Sequence, residues 1–195
     1  SIAGNTVEII YSVPANIDPA YWQPEDHDIA KMQQADLILL NGANYEKWLN
    51  MVELPKSKLV DTSANCQKMF IELKEQIKHE HNGKVHSHSG HDFNIWLDAY
   101  ILSRQAETVT SSLSQLIPAH QKLYKQKLLT LKNELKKIFF KFNRVAGKQQ
   151  KFLASHPVYN YLARANGWRL QNFHWEPDEM PSSLEWAQLE KATTF

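Results

Sequence analysis

With 195 residues, 43% hydrophobic and 22% charged, the chain has apolar material for one large domain or two small ones with a sizeable core. A net charge of +1 and a pI near 7.8 give no electrostatic case for nucleic acid or an anionic membrane surface. The single cysteine, Cys66, excludes an intramolecular disulfide and any CxxC motif, and no apolar run approaches the roughly 20 residues that cross a bilayer.

The chain starts at Ser1 rather than Met and shows no signal peptide, which fits a processed or trimmed N-terminus. Val7 to Tyr11 (VEIIY) is strand-like and runs into a Pro14-containing loop. Asp28 precedes Ile29, Met32 and Ala35, which predicts a short amphipathic helix. Leu37 to Leu40 form an apolar strand-like run closed by Asn41-Gly42. Tyr45, Trp48 and Leu49 suggest a further helix, and LVDTS (59–63) a further strand. Met69, Leu73 and Ile77, spaced by four, predict a helix running into a histidine-rich loop at 79–91. Strand alternating with helix points to a parallel α/β sheet.

A helix is predicted from near Asp98, its face marked by Ile101, Val109, Leu113 and Leu116. Pro118 suits the first turn of a second, longer helix reaching about 144. Its apolar stripe is Tyr124, Leu128, Leu131, Leu135, Ile138 and Phe142, and core packing explains that stripe better than a coiled coil. At 1.5 Å per residue it spans roughly 40 Å, the length of a two-lobed protein. Beyond it the alternation resumes: strand at 151–155, helix at 157–166 stopped by Gly167, strand at 168–173. A second lobe so short looks incomplete.

Histidines dominate the possible chemistry. His86, His88 and His91, with their neighbours in the 79–91 segment, offer imidazoles to zinc, copper or nickel. The alternative is a solvated surface loop; a flexible loop binds metal weakly and in several modes. His156 lies between a predicted buried strand and a helix opened by Pro157, the strand end at which α/β proteins place ligands. A helix-capping or core role is equally open to it. His27 sits among Glu25, Asp26 and Asp28 at a helix N-terminus, where carboxylates suit the helix dipole and a histidine could ligate metal. His174, near Glu176 and Asp178, follows the last strand as another possible ligand; His120 falls on the long helix at an exposed position. No GxSxG, HExxH, Gly-rich phosphate loop or carboxylate pair is present, so no enzymatic activity is expected.

Four stretches then stand in one order: VPANIDPAYWQPEDHDIAKMQQADLILLNGANYEKWL, the histidine-rich segment followed by FNIWLDAY, the helix 118–144, and FLASHPVYNYLARANGWRL. Together they resemble the periplasmic solute-binding proteins of zinc and manganese ABC transporters, over about residues 4–190. The resemblance implies an α/β, two-lobed fold whose parallel sheets are joined by a long backbone helix. Residues 1–97 would form the first lobe, 98–145 the helical link, and 146–195 the start of an incomplete second lobe. It implies a monomer outside the cytoplasm, periplasmic or lipid-anchored, that carries Zn²⁺ or another divalent ion to a membrane permease. Neither nucleic acid nor membrane insertion enters.

The same resemblance locates departures. The family's first ligand histidine aligns with Ala20 and its second with Asn94; the third survives as His156, and the fourth ligand would lie beyond Phe195. Neither alanine nor a neutral asparagine is a good zinc ligand. His27, seven residues after Ala20, and His91, three before Asn94, could compensate in part. The second reading is a degenerate relative that has lost tight metal binding and serves as a partner-binding or regulatory protein.

Overall fold

A computed structural model describes residues 1–81, 84–145, 147, 149–175 and 180–193, with backbone alone for 74–81, 84–89 and 145. Helix α1 (Asp26–Gln34) begins in a capping box: Glu25 caps the Asp28 amide, and the Asp28 carboxylate accepts from the Glu25 N–H at 3.2 Å. Strand β1 (Ile38–Leu40) follows and pairs in parallel with β2 (Leu59–Asp61). Between them Lys47–Met51 form a 3-10 turn rather than an α-helix.

The connection after β1 is unusually tight. Gly42, Ala43 and Asn44 all have positive φ, of 80°, 52° and 61°. That path brings the Asn41 and Gly42 amides onto Glu46, whose two oxygens accept them at 2.6 and 3.2 Å. Burial pushes the Glu46 carboxyl above its usual range, while these amide bonds pull it back. A Cβ on Gly42 would overlap Asp61 Oδ1 and Ser63 Oγ at the end of β2. Gln105 from the following helix closes this polar nest, donating to Asn41 O, Asn41 Oδ1 and Thr62 Oγ1.

Further expectations fail between residues 7 and 91. Residues 7–11 are not a strand. Val7 packs on the Ala3, Leu113 and Tyr124 cluster, but Ile9 and Tyr11 are 70% exposed, and no described strand pairs with the segment. Strand propensity without a ladder partner does not make a strand. The helix predicted through Met69, Leu73 and Ile77 is also absent. A 3-10 turn at Ala64–Met69 gives way to β3 (Glu72–His81), which pairs antiparallel with β4 (Lys84–His91). A spacing of four is compatible with periods of both 2 and 3.6, so it could not separate the two structures. The 79–91 segment is correspondingly no loop over its described residues but the end of a ribbon, with His79 opposite His86 and His81 opposite Lys84.

A 3-10 turn at Ile95–Leu97 then leads to α2 (Ala99–Leu116), capped by Asp98, which accepts the Tyr100 amide at 2.9 Å. Pro118–His120 make a short 3-10 turn before α3 (Gln121–Val145), so the long helix begins close to the predicted position. It lies along α2; Tyr124 is fully buried and Leu135 nearly so, whereas Ile138 is 46% exposed. Lys132 reaches Glu107 across the pair at 2.7 Å. Beyond it, β5 (Lys151–Ala154) pairs in parallel with β6 (Arg169–Asn172) around α4 (Asn160–Asn166). Gly167 ends α4 in the left-handed conformation at φ 68°. Helix α5 (Ser183–Thr193) completes the described chain, and no described helix is long and apolar enough to cross a membrane.

The main core combines Ala43, Cys66, Ile95 and Ile101 with Tyr161 from α4. Tyr161 is fully buried; its hydroxyl donates to Asp92 O at 2.8 Å and accepts the Ile71 amide at 2.9 Å. Arg164, one turn on, adds a bond to Met69 O at 2.7 Å and a longer contact to Asp98. The residues after the long helix are therefore anchored in the core of those before it.

Two substitutions test this construction. Gly42→Ala adds a clash to an unfavourable φ and is expected to cost about 2–5 kcal/mol, read as a lowered urea midpoint; an unchanged midpoint would mean the turn relaxes freely. Tyr161→Phe keeps the ring but strands a buried carbonyl and a buried amide, for an expected loss of about 1–3 kcal/mol in the same assay.

Candidate functional site

Two chain segments flank the place where the resemblance puts its ligands in the first lobe. In residues 18–22, Asp18 accepts the Ala20 amide at 2.9 Å, and Ala20 is 1% exposed. Trp22 packs edge-on against Trp48 with ring centres 5.8 Å apart, fixing this loop to the 3-10 turn after β1. Lys47 on that turn lays its ammonium 4.5 Å from the Tyr21 ring and 5.6 Å from the Phe93 ring. Burial lowers the Lys47 ammonium below its usual range, and Asp18 opposes that shift. Tyr45 stacks on both Phe93 and Trp96 at 5.3 Å, and burial with nearby Asp18 pushes its phenol up to about 12. So the residue after Ala20 and the residue before Asn94 are joined through one lysine.

The second segment centres on Asp92, 3% exposed between β4 and the Ile95–Leu97 turn. Its Oδ1 accepts the Asn94 amide at 2.8 Å and the Asn94 side-chain Nδ2 at 2.9 Å. Its Oδ2 accepts Asn160 Nδ2 at 2.9 Å, and the same nitrogen lies 3.4 Å from Pro157 O. Asn172 on β6 donates to Asn160 Oδ1 at 2.7 Å. This chain of amides runs from Asn94 through a buried carboxylate to the first turn after His156. Nothing local in the sequence announces it: Asp92 and Asn160 are 68 positions apart.

His156 follows β5, at the carboxyl end of a parallel strand as the sequence suggested, and is partly buried. The Val158 amide bonds back to its carbonyl at 2.9 Å, while Trp175 bonds to the neighbouring Ser155 carbonyl. The other candidate histidines stand on separate elements. His27 is 60% exposed, with Nδ1 3.4 Å from Glu25 and Nε2 3.2 Å from Asp28, so both nitrogens face the carboxylates of its own helix start. His91 is exposed, opposite Glu72 in the ribbon and edge-on to Phe70 at 5.3 Å. His86 and His88 hold backbone positions in β4 opposite His79 and Ile77; their side chains lie outside the described set. His174 lines an open groove of about 660 Å³ between β6 and α5, with Lys151, Glu185, Gln188 and Lys191. His120 is exposed, as expected.

Among the described residues, no three His, Cys, Asp or Glu side chains converge as a metal site. The geometry thus brings together Asn94, Asp92, Asn160 and the start of the His156 segment; His174 lies alongside that segment, since the Phe173 and Trp175 amides bond to the Ala154 and Ser155 carbonyls, whereas His27 faces the carboxylates of its own helix start.

Comparison with known proteins places this architecture. The family model described as ZnuA, the periplasmic component A of the zinc-uptake complex, matches residues 1–194. The high-affinity zinc uptake system protein ZnuA of Bacillus subtilis is 25% identical over 186 residues, 91% of this chain and 57% of that protein. The zinc-binding protein AdcA of Streptococcus pyogenes serotype M3 is 26% identical over 207 residues, 97% of this chain and 40% of its own. The chain therefore spans about half the length of these relatives. A crystal structure of ZnuA superposes with a TM-score of 0.73 at 26% identity, covering 97% of this chain and 70% of that one. The Zn(II)-bound ZnuA-like domain of Streptococcus pneumoniae AdcA shares the fold with a TM-score of 0.76, over 97% of this chain and 67% of that one. By the match of its whole described length, the chain belongs to the ZnuA family of zinc-uptake solute-binding components.

Proposed function

We propose that this chain takes part in capturing a divalent cation, zinc foremost, between two lobes and passing it to the permease of an ABC importer. The observation that carries the reading is His156 at the carboxyl end of β5, on a segment bonded through Asn160 to the Asp92–Asn94 segment. A ligand presented between two anchored segments suits reversible capture, and no bond-making chemistry is required. Membership of the family supports the cargo, as do relatives named as zinc-binding proteins. A relative named as a zinc-binding lipoprotein supports a place outside the cytoplasm, periplasmic or lipid-anchored.

In this reading residues 1–97 are the first lobe, 98–145 the helical link and 146–195 the start of the second. The protein acts as a monomer. His156 is the central ligand. The ribbon histidines, His86, His88 and His91 among them, gather metal weakly at a distance from it; His174, alongside it in the strand pairing, contributes a secondary contact, and His27 with its own carboxylates a separate weak one.

Zinc calorimetry tests the reading. Losing a supporting group around a metal commonly costs about 10–100-fold in affinity, so removing the ligand itself in His156→Ala should weaken the tightest site by more than about 100-fold. Replacing His79, His81, His86 and His88 with serine should remove only weaker sites. If the unaltered chain gives no heat with zinc, metal capture is wrong.

A further inference from the structure

The net charge of +1, which by itself gave no case for an anionic surface, conceals an uneven distribution. Helix α3 carries eight of the 22 lysines and arginines against one of the 21 acidic residues, Glu134. Its net charge is +7, and the rest of the chain holds −6. Tyr124 and Leu135 are buried on the inward side, where Tyr124 packs on Leu113 of α2. Away from that side Lys122, Lys125, Leu129, Asn133, Lys136, Phe140 and Arg144 recur at spacings of three and four, a second stripe along one face. All are exposed, Leu129 at 62% and Phe140 at 55%. Lys132 and Lys137 are paired with Glu107 and Glu134, whereas no described carboxylate meets Lys122, Lys125, Lys136 or Arg144. Asn133, Lys136 and Phe140 also border a shallow groove of about 370 Å³. Cations interleaved with large apolar side chains complement a lipid surface, which presents phosphates above a hydrocarbon boundary. A polyanion without that boundary would leave Leu129 and Phe140 in water, and a second copy would set like charges against each other.

We propose that the outward face of α3 is a docking surface for anionic membranes: Lys122, Lys125, Lys136 and Arg144 engage lipid phosphates while Leu129 and Phe140 press into the boundary between headgroups and acyl chains. The contact is adsorption along a helix of 25 residues, about 37 Å long, and no part of the chain crosses the bilayer in it. Long lysine and arginine stems lie on the apolar boundary and keep their charged ends among the headgroups. None of the residues around Asp92 and His156 takes part, so the docking face is independent of metal capture.

Co-sedimentation of the whole chain with vesicles tests the proposal, using phosphatidylcholine alone or with about one third phosphatidylglycerol. The unaltered chain should partition onto the anionic vesicles at about 0.1 M salt, be released at about 0.5 M, and ignore the neutral ones. Two variants carry the argument further: Lys125→Gln with Lys136→Gln and Arg144→Gln, and Leu129→Ser with Phe140→Ser. Melting curves confirm that both fold. Each surface cation is worth roughly fivefold in partitioning, so the glutamine variant should bind about 100-fold more weakly. The serine variant keeps every charge and should still lose about 10-fold. Zinc calorimetry should give the same result for both as for the unaltered chain. No partition onto anionic vesicles at the lower salt, or equal partition of the glutamine variant, overturns the proposal. If the serine variant binds as the unaltered chain does, the face is purely electrostatic, suits an acidic protein, and lipid docking is wrong.

Discussion

The bond pattern of one phenol holds the two halves of the described chain in register. Tyr161 arrives from α4, enters a core otherwise built from residues 43–101, and satisfies a backbone donor and a backbone acceptor there at once. Burial raises its pKa, so the hydroxyl keeps the proton that the Asp92 carbonyl requires. The site depends on this placement: with Tyr161 seated, Asn160 falls opposite Asp92 and the His156 segment follows at a set distance. An interface made only of apolar contacts would tolerate sliding. Two directional bonds inside it do not.

Around that anchor the chain's own side chains brace the Ala20 and Asn94 segments. Lys47 joins the 18–22 loop to the Phe93 segment through two aromatic rings, and the Tyr45 stack backs it. Asp92 gathers three N–H groups, two from Asn94 and one from Asn160. A buried carboxylate with its acceptors filled is a costly group made tolerable by its partners, and the same partners orient it. The positions of Ala20 and Asn94 are therefore set by the protein itself.

Local signals carried much of the fold. The helix start near Asp98, Pro118 at the entry to the long helix and Gly167 as a helix stop were each legible from local signals. The parallel pairs β1–β2 and β5–β6 followed from alternating strand and helix. The ribbon was misread because Leu73 and Ile77 satisfy both periods, although Asn82-Gly83 between the two strands is the strongest short hairpin signal a sequence can carry. The strand-end position of His156 was legible from the apolar run followed by proline. Asp92, Lys47 and Asn160 were not, since their roles come from contacts that cross the chain.

Cys66, deep in the core that Tyr161 completes, is 1% exposed, and burial raises its thiol above the usual value. At neutral pH it stays a thiol, poor as a nucleophile and poor as a metal ligand. With this sulfhydryl sealed, the described residues present no accessible thiol for cross-linking to a second copy. The chain also offers no thiolate to a passing soft metal, so sulfur can come only from the weaker methionine thioethers, beside nitrogen and oxygen donors.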